Sequence, residues 1–137
     1  MSSLICDVSG FLVKDLKDFI LCLESASAYH ELTTYCDTPL TVYNLRNDLS
    51  IKTAHLMQYP KPGDVDYIED CEQIREGFWV TSRERTICEL IKYKREEFFI
   101  YEAIEEYNND FEVLGVYAKK YGVEKELDEF LHFANKI

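Results

Sequence analysis

Histidine side chains are the first groups in this chain to consider for metal or proton chemistry. A zinc site of the H-E-x-x-H kind needs two histidines on one helical face, with a carboxylate beside them. The nearest local pattern, His30-Glu31, has no second histidine four residues on, and His55 and His132 stand apart from it. We therefore expect structural or surface histidines and no metal site.

Cysteine is the other candidate nucleophile and metal ligand. The chain has five cysteines, an odd number with no C-x-x-C pair, so neither a disulfide framework nor a zinc cage is indicated. They are Cys6, Cys22, Cys36, Cys71 and Cys88. Such usage is typical of reduced, mostly buried thiols, and we expect a cytoplasmic protein. The first residues lack the positive charge of a signal peptide, and no apolar run reaches the roughly eighteen residues of a membrane span.

Phosphate-binding loops and catalytic triads are not indicated either. A nucleotide loop needs clustered glycines so that backbone amides can approach the phosphates, and the five glycines here lie far apart. A triad could be assembled on paper from cysteine, histidine and aspartate, but any chain of this length would allow that. We expect no enzymatic activity, no catalytic residue and no cofactor.

The distribution of charge is the feature that stands out. The net charge of −11 argues against direct binding to nucleic acid, which needs Lys and Arg to displace counterions from phosphates. Residues 96–137 hold eleven acids against four bases. The acids are Glu96, Glu97, Glu102, Glu105, Glu106, Asp110, Glu112, Glu124, Glu126, Asp128 and Glu129. The partner of such a surface would be a protein with a basic surface, and the sequence indicates no membrane contact.

Glu102, Glu105 and Glu106 fall on one flank of a predicted helix, because residues three and four apart are surface neighbours. Asp110 and Glu112 follow at the start of the next helix. We predict that these five acids bind the partner and raise its association rate. The same pattern also fits an ordinary solvated helix face. The oligomeric state is left open.

The hydrophobic pattern predicts an α+β protein with a small antiparallel sheet, one N-terminal helix and a C-terminal cluster of three to four helices. We expect one domain over residues 1–137, with the helix and sheet in 1–81 and the helical part in 82–137. The N-terminal helix is predicted over residues 11–32. Strands are predicted over residues 41–45, 51–59, 65–68 and 73–80.

Local signals place the helix ends. Thr81 and Glu84 fit a capping box, S/T-x-x-E, although the helix starts one residue later if Ser82 is the cap. Asp110 is the predicted cap of the next helix but one, and Gly122 is its predicted C-terminal stop because glycine tolerates positive φ. The last helix, residues 124–135, is predicted to turn four apolar side chains inward. They are Leu127, Phe130, Leu131 and Phe133.

The joint between strand and helix, Thr81-Ser82-Arg83-Glu84-Arg85-Thr86, resembles the T-S-P-E-R-T of the AbiEi family of antitoxin domains. Arg83 stands in the place of the family's proline. Residues 24–32 are similar to the family's S-x-x-S-A-L-x-x-x-G-L helix end, from which Tyr29 and Glu31 depart. Residues 119–127 are similar to its R-R-L-G-V-x-x-x-L ending. The resemblance covers about residues 20–135.

This resemblance implies a non-enzymatic antitoxin that neutralises a nucleotidyltransferase toxin in a type IV toxin–antitoxin system. It also implies a structural role for Thr81, Ser82, Glu84, Arg85 and Thr86 at the joint. Fewer than about twenty residues precede the matching region, so we expect a stand-alone domain without the family's winged-helix DNA-binding arm.

Two alternatives remain open. An acidic protein of this size could be a phage-encoded inhibitor that occupies the nucleic-acid channel of a host enzyme such as a CRISPR-Cas nuclease, as anti-CRISPR proteins that mimic DNA do. It could also be a scaffolding module. A toxin gene beside this one would favour the antitoxin, and phage structural genes would favour the inhibitor.

Overall fold

The computed structural model describes residues 19–33, 40–45, 56–60 and 69–134. These residues form an α+β fold with an N-terminal helix and a C-terminal helix cluster, which confirms the predicted class. In chain order the elements are β1 (Phe19–Leu21), α1 (Leu23–Tyr29), β2 (Leu40–Asn44), β3 (Leu56–Pro60), β4 (Cys71–Arg75), β5 (Phe78–Thr81), α2 (Arg83–Lys92), α3 (Glu97–Glu106), α4 (Phe111–Tyr121) and α5 (Glu124–Phe133).

The strands form one five-stranded sheet in the order β3-β2-β1-β5-β4. β1 is antiparallel to β2 and parallel to β5, whereas β2 and β3 are parallel. β4 and β5 form an antiparallel hairpin. The sheet is therefore mixed, and the predicted antiparallel arrangement is wrong for two of its strand pairs. Side-chain alternation identifies a strand, but the direction of its neighbour depends on how the connections cross the sheet.

β1 lies at the centre of the sheet, in a segment predicted as helix. Phe19, Ile20 and Leu21 are all fully buried. An apolar run that is buried on both faces has neither the strand nor the helix period, so periodicity alone cannot identify it. Within residues 19–32, the part of the predicted helix that the structure describes, only α1 is helical, and it begins after the extended Cys22. Residues 11–18 of that prediction lie outside the described residues.

The other strand predictions are confirmed in part. β2 matches the strand predicted over residues 41–45, and β3 lies at the end of the one predicted over residues 51–59. Residues 65–68 and 51–55 lie outside the described part of the chain. The single strand predicted over residues 73–80 is wrong, because a turn at Glu76 and Gly77 divides it into β4 and β5. Gly77 has φ 76°, a conformation that glycine adopts without strain.

Four helices follow Ser82, within the predicted three to four. The Asp110 carboxylate caps α4 by accepting a hydrogen bond from the Glu112 N–H, and Gly122 ends α4 at φ 75°, both as predicted. In α5, Leu127 and Leu131 are buried and Phe130 is half-buried. Phe133, predicted to face inward, is 74% exposed, because a residue two positions after the buried Leu131 points to the opposite side of the helix.

The side chains of β1 alternate between two apolar clusters. Ile20 belongs to the larger cluster, which it shares with Tyr43 of β2 and with all four C-terminal helices. Phe19 and Leu21 belong to the smaller one, with Ala26 and Ala28 of α1 and the strand residues Val42, Phe78 and Val80. The sheet and the C-terminal helices therefore share one core. That core fixes α2 and α3, which carry the candidate residues.

Candidate functional site

The joint between β5 and α2 is capped by Ser82, whose Oγ accepts a hydrogen bond from the Arg85 N–H (3.1 Å). The capping box predicted for Thr81 and Glu84 does not form, and the alternative start at Ser82 is the one observed. Thr81 remains in β5, where it pairs with Cys71 of β4. Its hydroxyl lies 2.7 Å from the Thr86 hydroxyl, which also donates to the Ser82 carbonyl oxygen (2.6 Å).

Arg85 is the largest fully buried side chain among the described residues. Its Nε donates to Glu89 Oε2 (3.2 Å) one turn along α2, and Glu89 is also buried. Its Nη1 donates to the Glu69 carbonyl oxygen (2.7 Å) and lies 3.2 Å from Cys71 Sγ. Arg85 therefore ties α2 to the start of β4. Solvent does not reach its side chain.

The five joint residues divide into a buried and an accessible set. Thr81, Arg85 and Thr86 have no exposed surface, whereas Ser82 and Glu84 are half-buried. Glu84 turns away from the cap, because its Oε2 accepts a hydrogen bond from the Tyr107 hydroxyl (2.8 Å) at the end of α3. The joint is thus a mostly buried group of polar contacts between β5, α2 and the end of α3, and it does not form an open cleft.

The thiols in the described part of the chain are held in their protonated form. Burial raises the pKa of Cys71 to about 11 and that of Cys88 to about 12. Burial also raises the pKa of Cys22, and the nearby Glu89 carboxylate adds to this effect. Since the thiolate is the nucleophile, burial disfavours the reactive form of these three cysteines. Cys6 and Cys36 lie outside the described residues.

His30 is buried against the same joint. Its Nε2 donates to the Thr81 carbonyl oxygen (2.7 Å) and lies 3.7 Å from Glu72 Oε2. Burial lowers the pKa of His30, although the Thr81 carbonyl and Glu72 act in the opposite direction. His132 is exposed, and His55 lies outside the described residues. Over residues 19–33, 40–45, 56–60 and 69–134, no three histidine, cysteine or acidic side chains are close enough to hold a metal ion.

We call Glu102, Glu105 and Glu106 of α3 the acidic flank. Glu105 and Glu106 are exposed, whereas Glu102 is half-buried. Their spacing spans about one and a half helical turns, so they form one continuous strip. The structure therefore brings together the three residues that the sequence placed on one flank, with Glu102 less accessible than predicted.

The two other predicted partner-binding acids lie at the start of α4. Asp110 and Glu112 are exposed, and Asp110 Oδ1 accepts from the Glu112 N–H at 2.8 Å. Acids at a helix start are stabilised by the positive end of the helix dipole, so both have a local structural reason to be there. Tyr107 connects them to the acidic flank, because its hydroxyl lies 3.1 Å from the Asp110 carbonyl oxygen.

Two cations are paired with acids from distant parts of the chain, Arg95 with a buried acid and Lys120 at the surface. Arg95 makes a bidentate bridge to Glu24 of α1, with Nε to Oε2 at 2.6 Å and Nη2 to Oε1 at 2.8 Å. Lys120 of α4 bonds Glu69 (2.6 Å) and Asp70 (2.7 Å) ahead of β4. By contrast, ten of the eleven acids of residues 96–137 are exposed. The surface of the C-terminal helices is therefore strongly negative.

Sequence reasoning missed the internal partners of these cations. Glu24 and Arg95 are 71 residues apart, and neither carries a local signal that it will be paired. For Arg85, the only signal was its place in the joint motif.

Comparison with known proteins adds no family assignment. The chain matches no protein-family model and none of the curated proteins. None of the helices in the described residues is long and apolar enough to cross a membrane.

Proposed function

We propose that this protein is a non-enzymatic antitoxin that binds a nucleotidyltransferase toxin through the acidic flank and neutralises it. The toxin would present a basic surface, as an enzyme that handles nucleotides and nucleic acid does. The resemblance to the AbiEi family motivates the choice of toxin. The observation that carries the proposal is the separation of charge: ten of the eleven acids of residues 96–137 are exposed, while Arg85 and Arg95 are each paired with a buried acid.

Separation of charge favours binding because Arg85 and Arg95 are each neutralised by a buried acid, Glu89 and Glu24, and so contribute little net positive charge to the surface. Both acids lie outside the acidic flank. The field of the C-terminal helices is therefore not cancelled by these cations. A one-sign surface of this kind accelerates association with a partner of opposite sign and disfavours partners of like sign.

Rigidity of the flank also supports the proposal. α3 packs into the core through Ile100, Ala103 and Ile104, which are nearly or fully buried. Its C-terminal end is held to α2 by the hydrogen bond between Tyr107 and Glu84. Because the flank lies on a fixed helix, it loses little conformational entropy when a partner binds.

Co-expression tests the proposal. A bacterial strain expresses a nucleotidyltransferase toxin of the kind that AbiEi antitoxins neutralise, together with this protein. We expect wild type to restore growth and Glu105→Lys/Glu106→Lys to fail. The matched control is Asp128→Lys/Glu129→Lys, which reverses two adjacent exposed acids on α5 and should restore growth as wild type does.

Failure of wild type to restore growth, with both proteins present at normal levels, would refute the antitoxin proposal. The same purified proteins can then be added to a DNA-cleavage assay with a CRISPR-Cas nuclease. Inhibition there that is lost in Glu105→Lys/Glu106→Lys would assign the flank to the nuclease inhibitor instead.

A further inference from the structure

A pocket of about 640 Å³ lies where the end of α2, the start of α3, the end of α4 and the start of α5 meet. Its apolar and aromatic lining comes from Ile91, Ile100, Tyr121, Val123 and Phe130. Its charged lining comes from Lys92, Lys94, Arg95, Glu97 and Glu126. Pockets that bind small molecules are typically about 300–1,000 Å³, mostly apolar, with a few polar groups that fix the ligand's orientation. This pocket has both the size and the lining of such a site.

The charge at the pocket is unusual for this protein. Three cations, Lys92, Lys94 and Arg95, fall within four consecutive residues, in a chain whose net charge is −11. Two helix N-termini add to their field, because Glu97 of α3 and Val123, which precedes α5, line the same pocket. Neither N-terminus has a side-chain cap. Helix N-termini favour negative charge, so the two helix ends and the three cations favour an anion, whereas the lining acids Glu97 and Glu126 oppose it.

The backbone at Lys94 adopts a left-handed conformation, as it also does at Leu23, Glu31 and Asp70. α2 ends with two hydrogen bonds, Lys94 N–H to Ile91 O (3.1 Å) and Arg95 N–H to Leu90 O (3.0 Å), and Lys94 has φ 54°. α4 ends in the same way at Gly122, with φ 75°. Both residues line the pocket. Glycine is the usual residue in this left-handed position, and a lysine there is strained. Strain of this kind is often found at functional sites.

We propose that this pocket binds a small organic anion, with its apolar body against Ile100, Val123 and Phe130 and its negative group beside Lys94. Arg95 is already bridged to Glu24, which leaves Lys94 as the cation that most directly selects the ligand's charge. The negative group would be a carboxylate, sulfonate or phosphate, since these share the chemistry that an ammonium group recognises. The site is separate from the acidic flank and does not depend on the antitoxin proposal.

Titration with 8-anilinonaphthalene-1-sulfonate, an aromatic anion whose fluorescence rises in apolar surroundings, tests the proposal at low ionic strength. We expect saturable binding at one site. Lys94→Gly should weaken it by up to about fivefold, the upper end of the range for one exposed charge pair. The variant relieves the strained φ, so lost binding cannot come from lost folding. Glu126→Lys should tighten binding, because it replaces a negative lining charge with a positive one.

Two controls make the test specific. Lys125→Ala removes an exposed charge from α5 that does not line the pocket and should bind as wild type does. Adenosine monophosphate and decanoate are then used as competitors, and displacement by one of them shows whether the site prefers a phosphate or a carboxylate.

Three results would overturn the proposal. They are dye binding that does not saturate below about 1 mM, equal affinities in wild type, Lys94→Gly and Glu126→Lys, and failure of both competitors to displace the dye. Glu105→Lys/Glu106→Lys should leave dye binding unchanged, so the outcome is independent of the test of the acidic flank.

Discussion

The side chain that most constrains the joint is Arg85. It is enclosed with Glu89 between α2 and the sheet, and its guanidinium lies 5.8 Å from the centre of the Tyr43 ring. Burial raises the pKa of Glu89, and the lowering effect of Arg85 does not fully offset it. A buried ion pair contributes little net stability over apolar residues of the same size, but the loss of one partner leaves an uncompensated charge.

Removal of one partner should therefore cost more than removal of both. We predict that Glu89→Ala lowers the free energy of unfolding by about 3–5 kcal/mol, and that Arg85→Met with Glu89→Leu recovers most of that loss. Urea denaturation of the wild type and the variants measures both values. A double variant as unstable as Glu89→Ala would show that the hydrogen bonds of Arg85 to Glu69 and Cys71, rather than the charge pair, hold the joint together.

The free-energy cost of a left-handed backbone can be measured at two helix ends, Lys94 after α2 and Gly122 after α4. The left-handed conformation costs a non-glycine residue about 1–2 kcal/mol, and glycine loses about 0.5–1 kcal/mol more conformational freedom on folding. Lys94→Gly should thus raise the free energy of unfolding by about 0.5–1 kcal/mol. Gly122→Ala should lower it by about 1 kcal/mol, because an added Cβ meets no atom within 4 Å and only the backbone cost remains. Thermal unfolding tests the pair; a shift of the same sign in both would contradict the account.

At the scale of single residues, the sequence predicts the features that depend on neighbouring positions in the chain. Asp110 and Gly122 were predictable because a cap and a stop act on the turn beside them. Ser82 was one of two possible caps, and the choice was decided by the pairing of Thr81 with Cys71 in the sheet. The bridge between Glu24 and Arg95 was not predictable, because it forms only after distant segments have folded together.

At the scale of the elements, His30 links the end of α1 to β5 by a hydrogen bond to the Thr81 carbonyl oxygen. Because this side chain titrates, the link can be tested by changing the pH. Burial lowers its pKa from the ordinary 6.5, so the unfolded chain takes up a proton at a higher pH than the folded one. Stability from the neutral imidazole is therefore present above about pH 6.5 and falls as the pH drops toward the folded pKa. Glu72, Arg83 and Glu84 also act on this imidazole, and Glu72 limits the shift.

His30→Gln isolates this effect, because the glutamine amide can still donate to the Thr81 carbonyl oxygen but does not titrate. We predict that the free energy of unfolding of wild type falls more steeply than that of His30→Gln between about pH 7 and pH 5. Urea midpoints at several pH values provide the measurement. Parallel pH profiles would show that His30 is neutral in both states or charged in both.

Among the elements, the four C-terminal helices were predictable and the sheet was predictable only in part. The helices carry apolar side chains at three-and-four spacing, and α2 and α4 also have clear end signals; both features are local. β1 has neither, because Phe19, Ile20 and Leu21 are buried on both faces. Its parallel pairing with β5 joins residues about sixty positions apart, a relation that alternation within one strand does not contain.

At the scale of the whole molecule, the proposed function depends on where the charges lie. The fold pairs Arg85, Arg95 and Lys120 with acids from within the domain and leaves the acids of α3, α4 and α5 largely in water. Acid enrichment was visible in the sequence, but the internal pairing of the cations was not. In the flank that we propose as the binding surface, Glu105 and Glu106 are exposed and Glu102 is half-buried. The exposed Asp110, which follows the flank, also caps α4.

The rate of association with a nucleotidyltransferase toxin, followed by stopped-flow or surface-based kinetics, tests this central claim most directly. We predict that the on-rate of wild type falls as salt rises from about 25 mM to 150 mM, where the Debye length shortens to about 8 Å. Glu105→Lys/Glu106→Lys should reduce the on-rate about tenfold at low salt and leave stability within about 1 kcal/mol of wild type. Asp128→Lys/Glu129→Lys should change the on-rate much less. Equal on-rates in the two double variants, or an on-rate insensitive to salt, would show that the acidic flank is an ordinary solvated helix face.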